Sequence, residues 1–151
     1  MEFRPVDAAG PVATELVEAM IQSLVPLYGR IDGAGMPSAS PEDFSPPHGV
    51  FLAGFDERGT AVAGGGVKRL GDGVAEIKRM FVAPELRGRG IARQLLVALE
   101  DAARELGYAR VRLDTGPKQP HAEALYRSAG YAEIPDYNGN PQATFFAEKV
   151  L

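Results

Sequence analysis

The sequence predicts a mixed α/β domain built on a mostly antiparallel sheet, and two stretches carry that prediction. Between Val50 and Val82, segments rich in β-branched and aromatic residues alternate with the turn sequences Asp56-Glu57-Arg58-Gly59 and Gly71-Asp72-Gly73, the pattern of consecutive antiparallel strands. From Glu76 to Leu113 the chain reads as strand, loop, helix and strand, and a strand reached through a helical crossover lies parallel to its neighbour. A length of 151 residues suits one good core, so residues 1–151 are read as a single domain.

Glu2 to Val6 forms a short first strand, and Asp7 is a candidate helix cap. From Pro11 the apolar positions Val12, Leu16, Val17, Met20, Ile21, Leu24, Val25 and Tyr28 recur at helical spacing, and Pro26 is expected to kink or end that helix. Gly29 to Gly49 is rich in Gly, Pro and Ser, with Phe44 as its one large anchor; it is either a surface connection or a loop that covers a substrate. Val50 to Phe55 and Thr60 to Leu70 pair as a hairpin. Gly64-Gly65-Gly66 in its second strand is read as close packing against the first helix or a bulge, in preference to room for a ligand. The strand carrying Ile77, Met80, Phe81 and Val82 stops at Ala83-Pro84, because proline cannot donate to a ladder. A helix starts near Ile91 with Leu95, Leu99, Ala102 and Leu106 on one face and is capped at Gly107, and Ala109 to Leu113 is the next strand. Pro120 suits the first turn of another helix lined by Ala122, Leu125, Tyr126 and Ala129, which Gly130 stops. Ala132 to Ile134 and Ala143 to Val150 close the chain as a hairpin with Asn138-Gly139 in its turn, and Tyr137 is read as a surface residue in preference to one that reaches over a substrate.

Composition narrows the chemistry. No cysteine is present, which excludes disulfides, zinc–cysteine sites and a thiol nucleophile and fits a cytoplasmic protein. Two histidines, His48 and His121, do not suggest a His-rich metal site, and no metal is expected; His121 is read as a helix-surface residue. The formal net charge of −4, without long Lys/Arg runs, argues against nucleic acid or a membrane surface as partner. No apolar run approaches the ~20 residues that span a bilayer, and the start shows no signal-peptide core.

The loop Pro84-Glu85-Leu86-Arg87-Gly88-Arg89-Gly90 precedes a helix, and such a basic, glycine-bearing turn is built to capture an anion. Glycines let backbone N–H groups converge, the helix dipole favours negative charge, and Arg87 and Arg89 add cationic donors. Phosphate or pyrophosphate is the natural guest. A nucleotide-hydrolase loop would need Gly-Lys-Ser/Thr, which is absent. A dinucleotide fingerprint would need glycine where Arg93 stands and would leave its strand without the intervening Ala83-Pro84-Glu85-Leu86; Asp114, at a strand end, is the one residue in its favour.

The remaining pattern, Arg/Gln-x-x-Gly-x-Gly/Ala, is matched by Arg87-Gly88-Arg89-Gly90-Ile91-Ala92. With the strand ending at Val82, it resembles the acetyl-CoA-binding motif of the GNAT family of N-acetyltransferases. Gln119, Ala122, Leu125-Tyr126 and Gly130-Tyr131 resemble that family's later motif N-x-x-A-x-x-L-Y-x-x-x-G-F, with Gln119 for asparagine and Tyr131 for phenylalanine. The resemblance implies a mixed, mostly antiparallel sheet of about six to seven strands flanked by about four helices. It also implies acetyl-CoA as cosubstrate, transfer to a small-molecule or peptide amine, and a homodimer as a family habit.

The same resemblance assigns the pantetheine to the main chain of Met80, Phe81 and Val82, the pyrophosphate to N–H groups from Arg87, Gly88, Arg89, Gly90, Ile91 and Ala92, and a further coenzyme contact to Gln119. Tyr126 matches the tyrosine that returns a proton to the departing thiolate, a role its chemistry suits if it lies within hydrogen-bond reach. Glu76 stands where some members place a general base; the competing reading pairs it with Lys78 or a neighbouring arginine. Phe81 and Val82 N–H groups are the candidates for the oxyanion. Without a cysteine to carry the acyl group, direct transfer in a ternary complex is expected. A coenzyme-binding sensor without turnover is the alternative, against which Tyr126 and Glu76 weigh.

Overall fold

The computed structural model describes residues 1–29 and 39–151. The elements are β1 (Glu2–Val6), α1 (Pro11–Tyr28), β2 (Val50–Phe55), β3 (Ala61–Gly71), β4 (Val74–Val82), α2 (Ile91–Glu105), β5 (Arg110–Thr115), α3 (Pro120–Ser128), β6 (Ala132–Glu133) and β7 (Phe145–Val150), with short 3₁₀ turns at Pro41–Phe44 and Pro84–Leu86. Seven strands form one sheet in the order β1-β2-β3-β4-β5-β7-β6. β1 to β4 are antiparallel, β5 is parallel to β4, and β7 returns antiparallel between β5 and β6. Three α-helices are present among the described residues, against the four or so implied by the resemblance. The middle of the Gly29–Gly49 connection lies outside the described residues; its end forms the turn that buries Phe44.

Most boundaries fall within a residue or two of the expected ones, the usual latitude at element ends. Pro26 does not end α1. The helix runs on to Tyr28 and is closed by the N–H of Gly29 donating to the Val25 carbonyl. The closing hairpin also differs from the expectation: β6 pairs with β7 through only Ala132 and Glu133, and the chain between them leaves the hairpin to pack Tyr137 and Asn138 against β4.

Helices cover both faces of the sheet. α2 buries Leu95, Leu96, Leu99 and Ala103 with Val67, Ile77, Val111 and Leu113, as its amphipathic spacing requires. On the other face, α1 contributes Ala13 and Leu16 to a cluster with Phe44, Phe51, Ala53 and Phe81. The glycine run of β3 makes both approaches close. A Cβ at Gly64 would lie 2.8 Å from Leu16 of α1, and one at Gly65 would lie 2.9 Å from Leu99 of α2. A Cβ at Gly66 would lie 2.3 Å from the Phe44 ring. These three residues also face an irregularity in β4: Gly64 pairs with Phe81 and Gly66 with Lys78, so Arg79 and Met80 together stand opposite Gly65. That is a β-bulge, and Arg79 takes a φ of 59° there, a conformation that costs a non-glycine residue free energy.

Gly66→Ala is expected to destabilise the domain by about 1–3 kcal/mol, the usual cost of forcing extra volume into a packed site. Chemical denaturation of wild type and variant checks this; an unchanged midpoint would mean that Phe44 has room to move.

Candidate active site

β4 and β5 are hydrogen-bonded neighbours for only three register pairs, Val74↔Arg110, Ala75↔Val111 and Glu76↔Arg112. Beyond Glu76 the two strands diverge, β4 staying with β3 and β5 with β7. The edge of β4 from Ile77 to Val82 therefore faces a cleft of about 1410 Å³, lined by that edge, the loop before α2, the β5–α3 segment and one side of α1. Two contacts tie α1 across the cleft. The Tyr28 hydroxyl accepts the Lys118 N–H at 2.9 Å, and the Lys118 ammonium donates to the Leu27 carbonyl at 2.7 Å.

At one end of the cleft is the loop Arg87–Gly90. Gly88 and Gly90 both have φ of +79° with open space where a Cβ would stand, so the left-handed backbone accounts for these glycines better than crowding does. Gly90 is the N-cap of α2, with no side chain capping the first-turn N–H groups. Those donors, together with the helix dipole, fit an anionic ligand. Gly88, Gly90, Ile91, Ala92 and Arg87 line the cleft, and the Arg87 guanidinium donates to the Val82 carbonyl at 3.1 Å. Arg89 is exposed and is not one of the lining residues.

Met80, Phe81, Val82, Gln119 and Tyr126 also line the cleft. Phe81 and Val82 pair with Gly64 and Ala63, whereas Met80 has no register partner on β3. Tyr126 is 7% exposed, and its hydroxyl approaches the Met80 sulfur at 3.7 Å. Burial, and then the neighbouring Asp114 carboxylate, push its pKa above the ordinary tyrosine value, so the hydroxyl stays protonated as a donor. Gln119 stands at the N-cap of α3 with its amide oxygen 3.5 Å from the Thr115 hydroxyl. Tyr131 packs against Tyr126 at a ring separation of 5.9 Å. Its hydroxyl donates at 2.8 Å to buried Glu100, which Lys149 also holds at 3.1 Å; a tyrosine in place of phenylalanine is thus matched by a polar partner.

Glu76 is only 3% exposed and is not among the residues lining the cleft. It accepts the Tyr137 hydroxyl at 2.6 Å and the Asn138 amide at 3.0 Å and is paired with Lys78 at 3.6 Å. Tyr137 is therefore not the surface residue expected from sequence, because a buried carboxylate needs donors and this segment supplies them. The Asn138 amide also donates to Asp114 at 2.6 Å. Asp114 is the only carboxylate residue lining the cleft among the described residues. Sequence reasoning noted it only as the acidic residue of a dinucleotide fingerprint; nothing local marks that strand-end aspartate as a neighbour of Tyr126. No group of described residues is arranged to hold a metal ion, and no described helix is long and apolar enough to cross a membrane.

The fold of this open mixed sheet, whose two central strands splay beside a glycine-bearing helix start, is also found in a solved structure described as a putative acyl-CoA N-acyltransferase of Klebsiella pneumoniae, with a TM-score of 0.76 at 27% identity over 99% of this chain and 97% of that one. The chain belongs to the acetyltransferase (GNAT) family, whose model matches residues 17–131. It is 36% identical over 99 residues to an uncharacterized N-acetyltransferase of Schizosaccharomyces pombe, covering 65% of this chain and 61% of that one. It is 42% identical over 81 residues to the IAA acetyltransferase of Azospirillum brasilense, covering 52% of this chain and 53% of the relative. The chain thus spans between 53% and 61% of the length of these two curated relatives. Among solved structures, the PaiA N-acetyltransferase of Thermoplasma acidophilum, solved with coenzyme A, shares the fold with a TM-score of 0.73 at 21% identity, over 99% of this chain and 98% of that one.

Tyr137→Phe removes a hydrogen bond to a buried carboxylate and is expected to cost about 1.5–3 kcal/mol of stability. Urea unfolding measures it, and a loss below the resolution of that experiment would show that Asn138 and Lys78 suffice for Glu76.

Proposed function

We propose that this protein transfers an acetyl group from acetyl-CoA to a primary amine, directly, with both bound in the cleft. The observation that carries the reading is the position of Tyr126: a buried, protonated hydroxyl on the floor of a cleft between splayed strands, beside Met80 and Asp114. The residues fit the coenzyme. The free edge of β4 from Met80 to Val82 offers main-chain groups to an extended amide chain, and the glycine loop with the α2 N-terminus offers donors to a pyrophosphate. Gln119, with its hydroxyl partner Thr115, offers a polar contact from the α3 side.

Acetyl-CoA supplies an activated acyl thioester when bound. The chain's own residues then have three tasks. The incoming amine must lose a proton, and Asp114, which faces the cleft, accepts it; Glu76 holds Asn138 against Asp114 from behind the cleft wall and so acts at one remove. Developing negative charge on the acyl oxygen is met by main-chain N–H groups of the Met80–Val82 stretch. The neutral amine attacks the thioester carbon and the carbon–nitrogen bond forms; when the carbon–sulfur bond breaks, the sulfur takes the proton of Tyr126. The nitrogen gives up two protons in all, the first to Asp114 and the second, as the amide forms, to the Tyr126 oxygen, so the products are the amide, the thiol and one proton on Asp114 for release to solvent.

Tyr126→Phe is expected to lower kcat by about 10²-fold, within the range for loss of a general acid, while acetyl-CoA affinity is unchanged. Asp114→Asn is expected to lower kcat/KM by a similar factor of about 10², with the loss shrinking as the pH is raised and more amine is neutral. Steady-state kinetics with a primary amine found by panel screening test both. Full activity in Tyr126→Phe would remove the acid assignment, and acetyl-CoA binding without acetylation of any amine would point to a sensor.

A further inference from the structure

The part of the cleft facing α1 is not electrically neutral. Lys78, Arg79 and Lys118 line it with Asp114 as the single carboxylate among the described residues. Two of these four charges have side-chain partners, Lys78 in Glu76 and Asp114 in the Asn138 amide, whereas Lys118 and Arg79 each donate to a main-chain carbonyl. Arg79 differs from Lys118 in being a guanidinium stacked on a ring. Its guanidinium donates to the Ala39 carbonyl and lies 4.9 Å above the Phe44 ring, and no carboxylate among the described residues is within ion-pair distance of it. A guanidinium carries five N–H donors in a planar fork that matches a carboxylate, and among the described residues Arg79 uses them for one bond to a carbonyl. Partial burial lowers the Arg79 pKa, with Asp43 offsetting part of this.

The support under this side chain is built rather than incidental. Arg79 sits on the bulge with φ of 59°, immediately before Met80, whose sulfur meets the Tyr126 hydroxyl. Phe44, on which it stacks, is 1% exposed and packs edge-on to Phe51. Only glycine at position 66 admits that ring, since a Cβ there would lie 2.3 Å from it. A strained residue held by a fixed aromatic platform is positioned in advance of a ligand. The adjoining wall is apolar, with Met20, Ile21 and Leu24 of α1 facing the same cleft.

We propose that Arg79 binds a carboxylate of the acceptor, so that the acceptor is an amine bearing a carboxylate on an apolar body, its ammonium toward Asp114 and its carboxylate toward Arg79. This rests on the transferase reading for the word acceptor, but the binding site itself can be tested without turnover. Calorimetry on the protein saturated with coenzyme A would compare N-acetyl-leucine with N-acetyl-leucinamide, which differ only in the carboxylate. The acid is expected to bind at least about ten-fold more tightly, as a charge-assisted bidentate pair allows. In Arg79→Gln the two should bind within about two-fold of each other, and Arg79→Lys should keep part of the preference, because a point charge remains while the fork is lost. Acetyl-CoA affinity in each variant serves as the control for folding. Equal affinity for acid and amide in the wild type, or a preference that survives Arg79→Gln in a folded variant, would overturn the proposal. An Arg79-dependent preference in a protein that acetylates no amine would leave the carboxylate site standing and remove the transferase reading instead.

Discussion

The parting of β4 from β5 after the pair Glu76↔Arg112 is the constraint on which the rest of the molecule depends. Strands in a sheet normally stay in register because each unpaired backbone group costs free energy when buried. Here the groups of β4 from Ile77 to Val82 on that side are turned toward a cleft, and the sheet holds together because β4 keeps β3 and β5 keeps β7. The bulge at Arg79 and Met80, opposite Gly65, falls within this free edge, where a bulge bends the strand that carries it. An edge of free main-chain groups facing the cleft follows from this topology with little help from particular side chains.

Behind the divergence lies a network of buried polar groups. Tyr137, Glu76, Asn138 and Asp114 form a chain of short hydrogen bonds that starts inside the protein and ends in the cleft. Within it Glu76 is a carboxylate almost sealed from solvent, stable only because a hydroxyl, an amide and an ammonium converge on it. The segment between β6 and β7 supplies two of these donors, which explains why it departs from a tight hairpin. On the other side of Tyr126, the Tyr131–Glu100–Lys149 cluster fixes the back of α3 against α2. The proposed proton donor is thus flanked by two satisfied networks, and its position is set by both.

Much of this was legible in the sequence. Apolar periodicity marked α1, α2 and α3, turn residues marked β2 to β4, and the glycines of the Arg87–Ala92 loop marked a turn where N–H groups can converge; the positive φ of Gly88 and Gly90 is what the structure adds. Motif order carried the family. What stayed hidden depends on contacts between distant segments. Arg79 looks like any charged strand residue until the bulge and the Phe44 ring, both enabled by glycines of β3, are seen together. Asp114 looks like a strand-end acid until Asn138 brings Glu76 to it from the far end of the chain. Tyr137 was misread for the same reason, since its partner lies 61 positions away.

The central claim is that the cleft between β4 and β5, with the glycine loop at its mouth, is a coenzyme A site. The measurement that tests it most directly is calorimetric titration of acetyl-CoA, with NAD as comparison, into the wild type and Gly90→Glu. That substitution places a carboxylate, on a backbone with φ of +79°, where the pyrophosphate is to be received. The account predicts micromolar acetyl-CoA binding, on the order of −8 kcal/mol, no binding of NAD, and loss of the acetyl-CoA signal in a variant that keeps its circular dichroism spectrum. Binding of NAD instead, or acetyl-CoA affinity untouched by Gly90→Glu, would contradict it.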